Sequence, residues 1–243
     1  MLLALDIGNT RIKAAVFEQN TLLETFSFAN EEIQKKVDFI LKTNPKISDL
    51  VVSSVGNLDK VVFSTFSSNV KIHFITKESH FPFQNLYETP NSLGIDRMVL
   101  AIGAVLQFPN QNRLVIDAGT CVTYDFIDAE NNYLGGAISP GIRLRYESLH
   151  NYTAKLPLLT VSSPEKMIGS STQGSIHSGV VNGITNEIDG FIEYYGQRYA
   201  NIIIILTGGD AEFLAKRLKN TIFANSNFLL ESLNQTFQYK NQQ

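Results

Sequence analysis

Leu-Ala-Leu-Asp-Ile-Gly at residues 3–8 and Leu-Val-Ile-Asp-Ala-Gly at residues 114–119 are the two stretches that decide the fold. Each has an apolar run typical of a buried strand, then Asp, an apolar residue and Gly, with Thr10 or Thr120 close behind. The copies lie nearly half a chain apart, which is too long a period for a solenoid. This repeat predicts two related α/β subdomains, residues 1–112 and 113–243, each a mixed sheet flanked by helices.

The two turns have the composition of phosphate-binding turns. A Gly in a tight turn lets backbone N–H groups approach an anion, and Asn or Thr adds side-chain hydrogen bonds. An Asp beside such a turn makes sense if it holds a cation that neutralises phosphate oxygens. Lys13, just past the first turn, can supply a positive charge. The alternative is that each Asp-x-Gly is only a hairpin turn, but two copies in matching halves favour phosphate binding.

Hydrophobic periodicity and turn signals predict the remaining elements. A long helical stretch is expected from about 171 to 199, with a break near Gly183 or Gly190. Residues 81–93 are predicted to be a loop and 153–164 an irregular connector. Further helices are expected at about 31–42, 58–67, 95–107, 142–149, 210–218 and 228–236, and further strands at 12–17, 21–28, 50–55, 71–75, 122–127, 133–138 and 202–206.

Composition excludes several classes of function. The 243 residues carry a net charge of −3 with no basic block, which argues against a nucleic-acid partner. The single cysteine cannot form an internal disulfide, which favours a reducing cytoplasmic compartment. The strongest apolar run, Ile202–Leu206, is too short to span a bilayer, so no membrane association is expected. The chain has no Gly-x-x-x-x-Gly-Lys-[Ser/Thr] motif, which argues against a P-loop kinase.

An ordered set of motifs resembles type III pantothenate kinases. These motifs are Asp-Ile-Gly-Asn-Thr at 6–10, Gly-Ile-Asp-Arg at 94–97 and Asp-Ala-Gly-Thr at 117–120, and the Gly-rich segment at 135–141 fits the same pattern. The resemblance implies the ribonuclease H-like fold of actin and sugar kinases, with ATP in the cleft between the subdomains. It implies transfer of the ATP γ-phosphoryl group to the pantothenate hydroxyl, giving 4'-phosphopantothenate in the first step of coenzyme A biosynthesis. Mg²⁺, a monovalent cation (K⁺ or NH₄⁺) and a homodimer are implied as well.

The same resemblance implies a role for each motif residue. Asp96 would be the proton acceptor, Asp117 the monovalent-cation ligand, and Asp6 would hold Mg²⁺ through water. Thr172 would act at the pantothenate site near or across the dimer interface. ATP would be bound by Asp6, Ile7, Gly8, Asn9, Thr10, Arg11, Ile12, Lys13 and Thr120. Pantothenate would be bound by Tyr87, Gly94, Ile95, Asp96, Arg97 and Thr172.

The chemistry of these residues allows other interpretations. Arg97 can bind a carboxylate and Asp96 can accept a hydroxyl proton, or Asp96 only caps the following helix while Arg97 is solvated. Tyr87 can equally pack on the core, and Thr172 can be a helix N-cap. Residues 207–209, Thr-Gly-Gly, suit an adenosine site or a plain strand-to-helix turn.

Two departures and two rival functions accompany the resemblance. Cys121 stands where the family usually has Ala, and we expect it to be a small buried residue. Around residues 55–57, Val-Gly-Asn, the family commonly continues with Val and Pro, and this chain does not.

One rival function is a kinase for a sugar or small acid on the same fold. The other is a non-catalytic regulator, which need not keep a proton acceptor.

Overall fold

The computed structural model describes residues 1–8, 10–54, 63, 66 and 70–240. The segment 55–57 and most of the helix predicted at 58–67 lie outside this part. The longer described helices and strands match the predicted elements in type and order. In chain order, the elements are β1 (Leu2–Ile7), β2 (Ile12–Glu18), β3 (Thr21–Phe28), α1 (Ile33–Thr43), β4 (Asp49–Ser54), β5 (Lys71–Phe74), β6 (Gln84–Asn85), α2 (Ile95–Gln107), β7 (Asn112–Ala118), β8 (Cys121–Ile127), β9 (Asn132–Pro140), α3 (Ile142–Asn151), α4 (Thr172–His177), α5 (Gly183–Gly196), β10 (Ile202–Thr207), α6 (Ala211–Ala215), β11 (Phe223–Ala224) and α7 (Phe228–Lys240).

The chain forms two compact units, Met1–Pro109 with Asn227–Gln243, and Asn110–Ser226. In the first unit the strand order is β3-β2-β1-β4-β5, with β1 antiparallel to β2 and parallel to β4. All residues of β1 are buried, as expected for a central strand covered on both faces. Ile33, Val37 and Ile40 of α1 join this core at helical spacing.

The second unit repeats this topology. Its strands run in the order β11-β10-β7-β8-β9, with β7 antiparallel to β8 and parallel to β10. Strand β7 therefore occupies the place that β1 has in the first unit, and both are followed by the Asp-turn hairpin. The internal repeat of the sequence thus corresponds to a repeat of sheet topology, with Asp6 and Asp117 at equivalent ends of their central strands.

The last helix departs from the subdomain bounds predicted from the repeat. Residues 113–243 were expected to form the second subdomain, but α7 belongs to the first unit, where it packs against α2. Its Phe228, Leu230 and Leu233 are buried there. An apolar helix face in a sequence shows that the helix is covered, but it does not say which element covers it.

The long helical stretch predicted at 171–199 extends from α4 through α5. The five residues between these helices, Ser178–Asn182, form a π-helical turn that ends at Gly183, one of the two positions where a break was predicted. Pieces of π-helix of this kind are found mainly as local insertions in α-helices. No helix in the described part of the chain is both long and apolar enough to cross a bilayer.

Candidate active site

Asp6 is a buried carboxylate at the end of β1. It is 8% exposed, and its Oδ1 accepts a hydrogen bond of 3.0 Å from Ser53 Oγ, which lies beside it in the parallel register of β1 and β4. Burial raises the pKa of Asp6 from 3.8 to about 6, while the Ser53 bond opposes the shift. Ser53 belongs to none of the sequence motifs, and it lies beside Asp6 only because of the register between β1 and β4.

The first turn is closed by its own backbone. Gly8 N donates to Arg11 O at 3.2 Å, so this N–H is used inside the hairpin. The Arg11 guanidinium binds the Ser27 hydroxyl and carbonyl on β3, both at 2.9 Å. Ile7 and Ile12 have side chains in the core, so either residue would meet a ligand only through its backbone. Asn9 lies outside the described residues.

Lys13 and Thr10 are the remaining candidates of this turn. Lys13 is half-buried and lies opposite Asp6 in the β1–β2 register, where its charge lowers the pKa of that carboxyl. Thr10 is exposed at the hairpin tip. The turn therefore combines a buried carboxylate with an adjacent ammonium group, which a plain hairpin turn does not require.

Asp96 lies in the first turn of α2. Its Oδ1 accepts the N–H of Arg97 at 2.9 Å, but the N-cap of the helix is Gly94 and no side chain caps it, so the alternative that Asp96 is the helix cap is wrong. A Cβ on Gly94 would lie 2.4 Å from this oxygen, so only glycine leaves room for the carboxylate in this position. Burial raises the pKa of Asp96, with the Arg97 amide and charge acting against it.

Arg97 and Tyr87 lie together next to Asp96. Arg97 is only 6% exposed, so the alternative of a solvated guanidinium is wrong. Its Cζ lies 5.7 Å from the centroid of the Tyr87 ring, within the range of a cation–π contact. Tyr87 is half-buried and contacts this charge, so it is not simply a core aromatic.

The charge of Asp96 also bears on Asp6, although the two residues come from different motifs. It raises the pKa of Asp6, after burial and the Ser53 hydrogen bond in importance. The described part of the chain has no group of three or more His, Cys, Asp or Glu residues suited to hold a metal.

In the second unit, Asp117 is the penultimate residue of β7 and lies three residues before Thr120. The turn is again closed internally, since Gly119 N donates to Cys121 O at 2.9 Å. Gly208 has a φ of +99°, and a Cβ there would lie 2.4 Å from Asp117 Oδ1. The Thr-Gly-Gly segment thus packs directly on the second Asp-turn.

Thr207 belongs to the Thr-Gly-Gly segment, for which the sequence allowed either an adenosine site or a plain strand-to-helix turn. It pairs with Asp117 in the parallel register of β7 and β10, the position that Ser53 has relative to Asp6. Thr207 is 1% exposed, and its Oγ1 has no hydrogen-bond partner among the described residues. A buried hydroxyl of this kind needs an explanation such as an ion or water.

Thr172 is exposed at the first position of α4 and lines a cavity of about 1010 Å³ in the second unit. Ser171 is the N-cap and accepts the Gly174 N–H at 3.0 Å, so the alternative of Thr172 as the cap is wrong. The cavity wall also includes Arg145 and Ser175. Thr172 therefore faces a cavity that is lined by both polar and apolar side chains and has the Arg145 guanidinium in its wall.

Cys121 corrects one expectation. It is exposed at the start of β8, where we expected a small buried side chain. It pairs with Pro140 at the end of β9. A strand's first residue can point outward even when the strand itself is central, which the composition of the motif does not reveal.

The fold defines a class of protein. A Baf-family protein from Campylobacter jejuni, assigned as a transcriptional activator, matches over 99% of this chain and 100% of its own with a TM-score of 0.66 at 23% identity. A ROK-family glucokinase from Streptomyces griseus matches over 96% and 98% with a TM-score of 0.55 at 12% identity. At these identities the likeness concerns the fold alone, which is that of the actin and sugar-kinase class.

Sequence comparison identifies the family. The family model of type III pantothenate kinase matches residues 2–194. A type III pantothenate kinase from Flavobacterium johnsoniae is 66% identical over 240 residues, covering 99% of this chain and 98% of the relative. The chain therefore belongs to the type III pantothenate kinases, which are ATP-dependent phosphotransferases of coenzyme A biosynthesis.

The burial of Asp6 predicts a pH-dependent stability. Its folded pKa is raised, so the ionised carboxylate destabilises the fold, and this cost appears as the pH rises from 3.8 through about 6. We expect Asp6→Asn to increase the free energy of unfolding at pH 8 by about 3 kcal/mol and to have little effect below pH 4. Urea denaturation at both pH values measures this. Glu18→Gln, at an exposed residue of the same sheet, is the control, and an equal effect of Asp6→Asn at both pH values would point to packing instead.

Proposed function

We propose that the residues around Asp96 bind pantothenate and accept its proton during phosphoryl transfer from ATP. Family membership supplies the reaction, and the group formed by the buried Arg97 with the half-buried Asp96 and Tyr87 is the observation that carries the assignment. Pantothenate has a carboxylate and a primary hydroxyl. A buried guanidinium can form a two-pronged bond with the carboxylate, and a neighbouring carboxylate can orient the hydroxyl.

In this mechanism the pantothenate hydroxyl oxygen forms a bond to the γ-phosphorus. The bond from that phosphorus to the β–γ bridging oxygen breaks, and ADP leaves with the electron pair. The hydroxyl proton moves to Asp96, whose Oδ2 is the acceptor because Oδ1 takes the Arg97 N–H. The raised pKa of Asp96 makes it a stronger acceptor than an exposed carboxylate. Positioning and charge neutralisation supply most of the rate enhancement in such transfers.

ATP would contact the two Asp-turns. In the first turn we assign Lys13 and the backbone around Thr10 to the phosphates, with Asp6 holding Mg²⁺ through water. Because Mg²⁺ retains several waters and is often bound through one or two carboxylates and substrate phosphates, a single carboxylate here fits it. In the second turn we assign Thr120 to ATP. Mg²⁺ would neutralise the phosphate oxygens.

The monovalent cation, K⁺ or NH₄⁺, is assigned to Asp117. The residues paired with the two carboxylates on the neighbouring antiparallel strands support this. Lys13 is paired with Asp6, whereas the uncharged Thr123 is paired with Asp117. The orphaned Thr207 Oγ1 offers a further oxygen of the kind that hard cations prefer. Bound there, the cation would add positive charge beside the second turn.

A homodimer is the third part of the proposal. Large apolar side chains lie exposed in the stretch from the end of α3 to α4, among them Tyr152 at 89% and Ile168 at 83%. Exposed apolar patches mark interaction surfaces, and Thr172 lies directly after this stretch. We propose that a second copy covers it and that Thr172 reaches the partner's pantothenate site.

We also propose a cytoplasmic location for the protein, which cell fractionation tests.

Asp96→Asn tests the proton-acceptor role. The Asn carbonyl can still accept the Arg97 N–H, so α2 should start normally while the proton acceptor is lost. We expect kcat for pantothenate-dependent ADP release to fall by about 10²- to 10⁴-fold, with ATP and pantothenate affinities by calorimetry little changed. Glu88→Gln, an exposed carboxylate near Tyr87, is the matched control. A fully active Asp96→Asn enzyme would refute the assignment.

Salt exchange tests the cation site. We expect activity in K⁺ to exceed that in Na⁺, and K⁺ to raise the melting temperature because it binds only the folded state. Asp117→Asn should abolish both the activity difference and the K⁺-dependent thermal shift. If the variant retains the thermal shift, K⁺ binds elsewhere and Asp117 has another role.

Mixing two inactive variants tests the shared site. If Thr172 acts across the interface, a dimer of one Asp96→Asn chain and one Thr172→Ala chain contains one intact site. We therefore expect activity to return after the two proteins are mixed and allowed to exchange subunits. Mixing Asp96→Asn with itself is the control. If exchange is verified by mass spectrometry and no activity returns, Thr172 does not act in trans.

A further inference from the structure

The end of β9 and the residue that follows it, Ser139–Gly141, pack against the second Asp-turn. Gly141 N donates to Thr120 O at 3.0 Å. A Cβ on Gly141 would lie 2.2 Å from Gly119 O, so the two backbones are in close contact. Any shift of the segment Ser139–Gly141 would therefore be felt by Thr120, the residue assigned to ATP.

Arg145, one turn into α3, makes two hydrogen bonds to this segment and an ion pair to α5. Its Nε donates to Pro140 O at 2.8 Å, and its Nη2 donates to Ser139 Oγ at 2.7 Å. The same Nη2 forms an ion pair with Glu187 Oε2 at 2.6 Å. The planar guanidinium thus joins the segment to α5 with a geometry that lysine cannot reproduce.

Glu187 is in turn fixed by the sheet. Tyr124 OH donates to Glu187 Oε1 at 2.9 Å. The Tyr124 ring is fully buried and stacks on Phe191 with a centroid distance of 4.0 Å. Burial works against the ionised form of Glu187, but the bonds from Arg145, Ser139 and Tyr124 outweigh it and lower its pKa. Burial and the charge of Glu187 raise the pKa of Tyr124, which keeps its hydroxyl as a donor.

We propose that Arg145 and Glu187 are positioning residues for ATP, which fix the segment Ser139–Gly141 and through it the turn that carries Thr120. This inference rests on the proposed contact of Thr120 with ATP. The charge pair is only partly exposed, 20% for Arg145 and 27% for Glu187, so it is held more firmly than a surface pair.

A series at Glu187 separates positioning from stability. We expect Glu187→Ala to raise KM for ATP about tenfold, with Glu187→Gln and Tyr124→Phe giving smaller increases because each keeps part of the network. Neither Glu187 nor Tyr124 lines the cavity at Thr172, although their partner Arg145 does, so KM for pantothenate should change less than KM for ATP. A merely structural role would lower the melting temperature and the active fraction without changing KM for ATP.

The control is Glu147→Gln, which removes an exposed pair with Arg143 on the same helix α3, 2.7 Å between Arg143 Nε and Glu147 Oε1. Its kinetics should match the wild type. Thr120→Val, measured in parallel, separates the two hypotheses. If Thr120→Val raises KM for ATP and the Glu187 variants do not, the positioning inference is wrong. If neither change affects KM for ATP, the assignment of Thr120 fails and the inference fails with it. If Glu187→Ala does not fold, Tyr124→Phe alone decides between these outcomes.

Discussion

A carboxylate buried at the end of a central strand is the constraint on which the first unit's site depends. Asp6 follows four buried residues of β1, so the strand that forms the core also places the carboxylate. Burial of a carboxylate is unfavourable unless it is bonded or paired. Ser53 and Lys13, on the two neighbouring strands, supply a hydrogen bond and an opposite charge. The site therefore depends on the register in which β2 and β4 pair with β1, just as the sheet does.

The second unit repeats the strand and the carboxylate but changes the neighbours. Where Asp6 has Ser53 and Lys13, Asp117 has Thr207 and Thr123 at the same register positions. The loss of the ammonium group and the presence of an orphaned hydroxyl make the second carboxylate more suited to an exogenous cation. Duplication thus supplies two similar frameworks, and substitutions on the flanking strands give them unequal chemistry.

Local patterns made much of the fold predictable, and long-range contacts set the limit. The repeat around Asp6 and Asp117 is visible because a strand and its turn are contiguous in sequence. Ser53 could not be found this way. It lies beside Asp6 only because β4 pairs in parallel with β1, and no local sequence pattern shows which residues two such strands bring together. Similarly, the burial of Arg97 depends on tertiary contacts such as the one with Tyr87. The unit to which α7 belongs is set by its packing against α2. The exposure of Cys121 depends on where β8 begins.

The motif glycines can be understood from the carboxylates beside them. A Cβ at Gly94 would lie 2.4 Å from Asp96 Oδ1, and one at Gly208 would lie 2.4 Å from Asp117 Oδ1. These are the carboxylates assigned to the proton and to the monovalent cation. A side chain at either glycine would displace an oxygen by several tenths of an ångström or more, and proton transfer and ion binding depend on such distances. With the proposed roles of Asp96 and Asp117, the two glycines would serve function by leaving space, because each lets a carboxylate lie directly against the backbone.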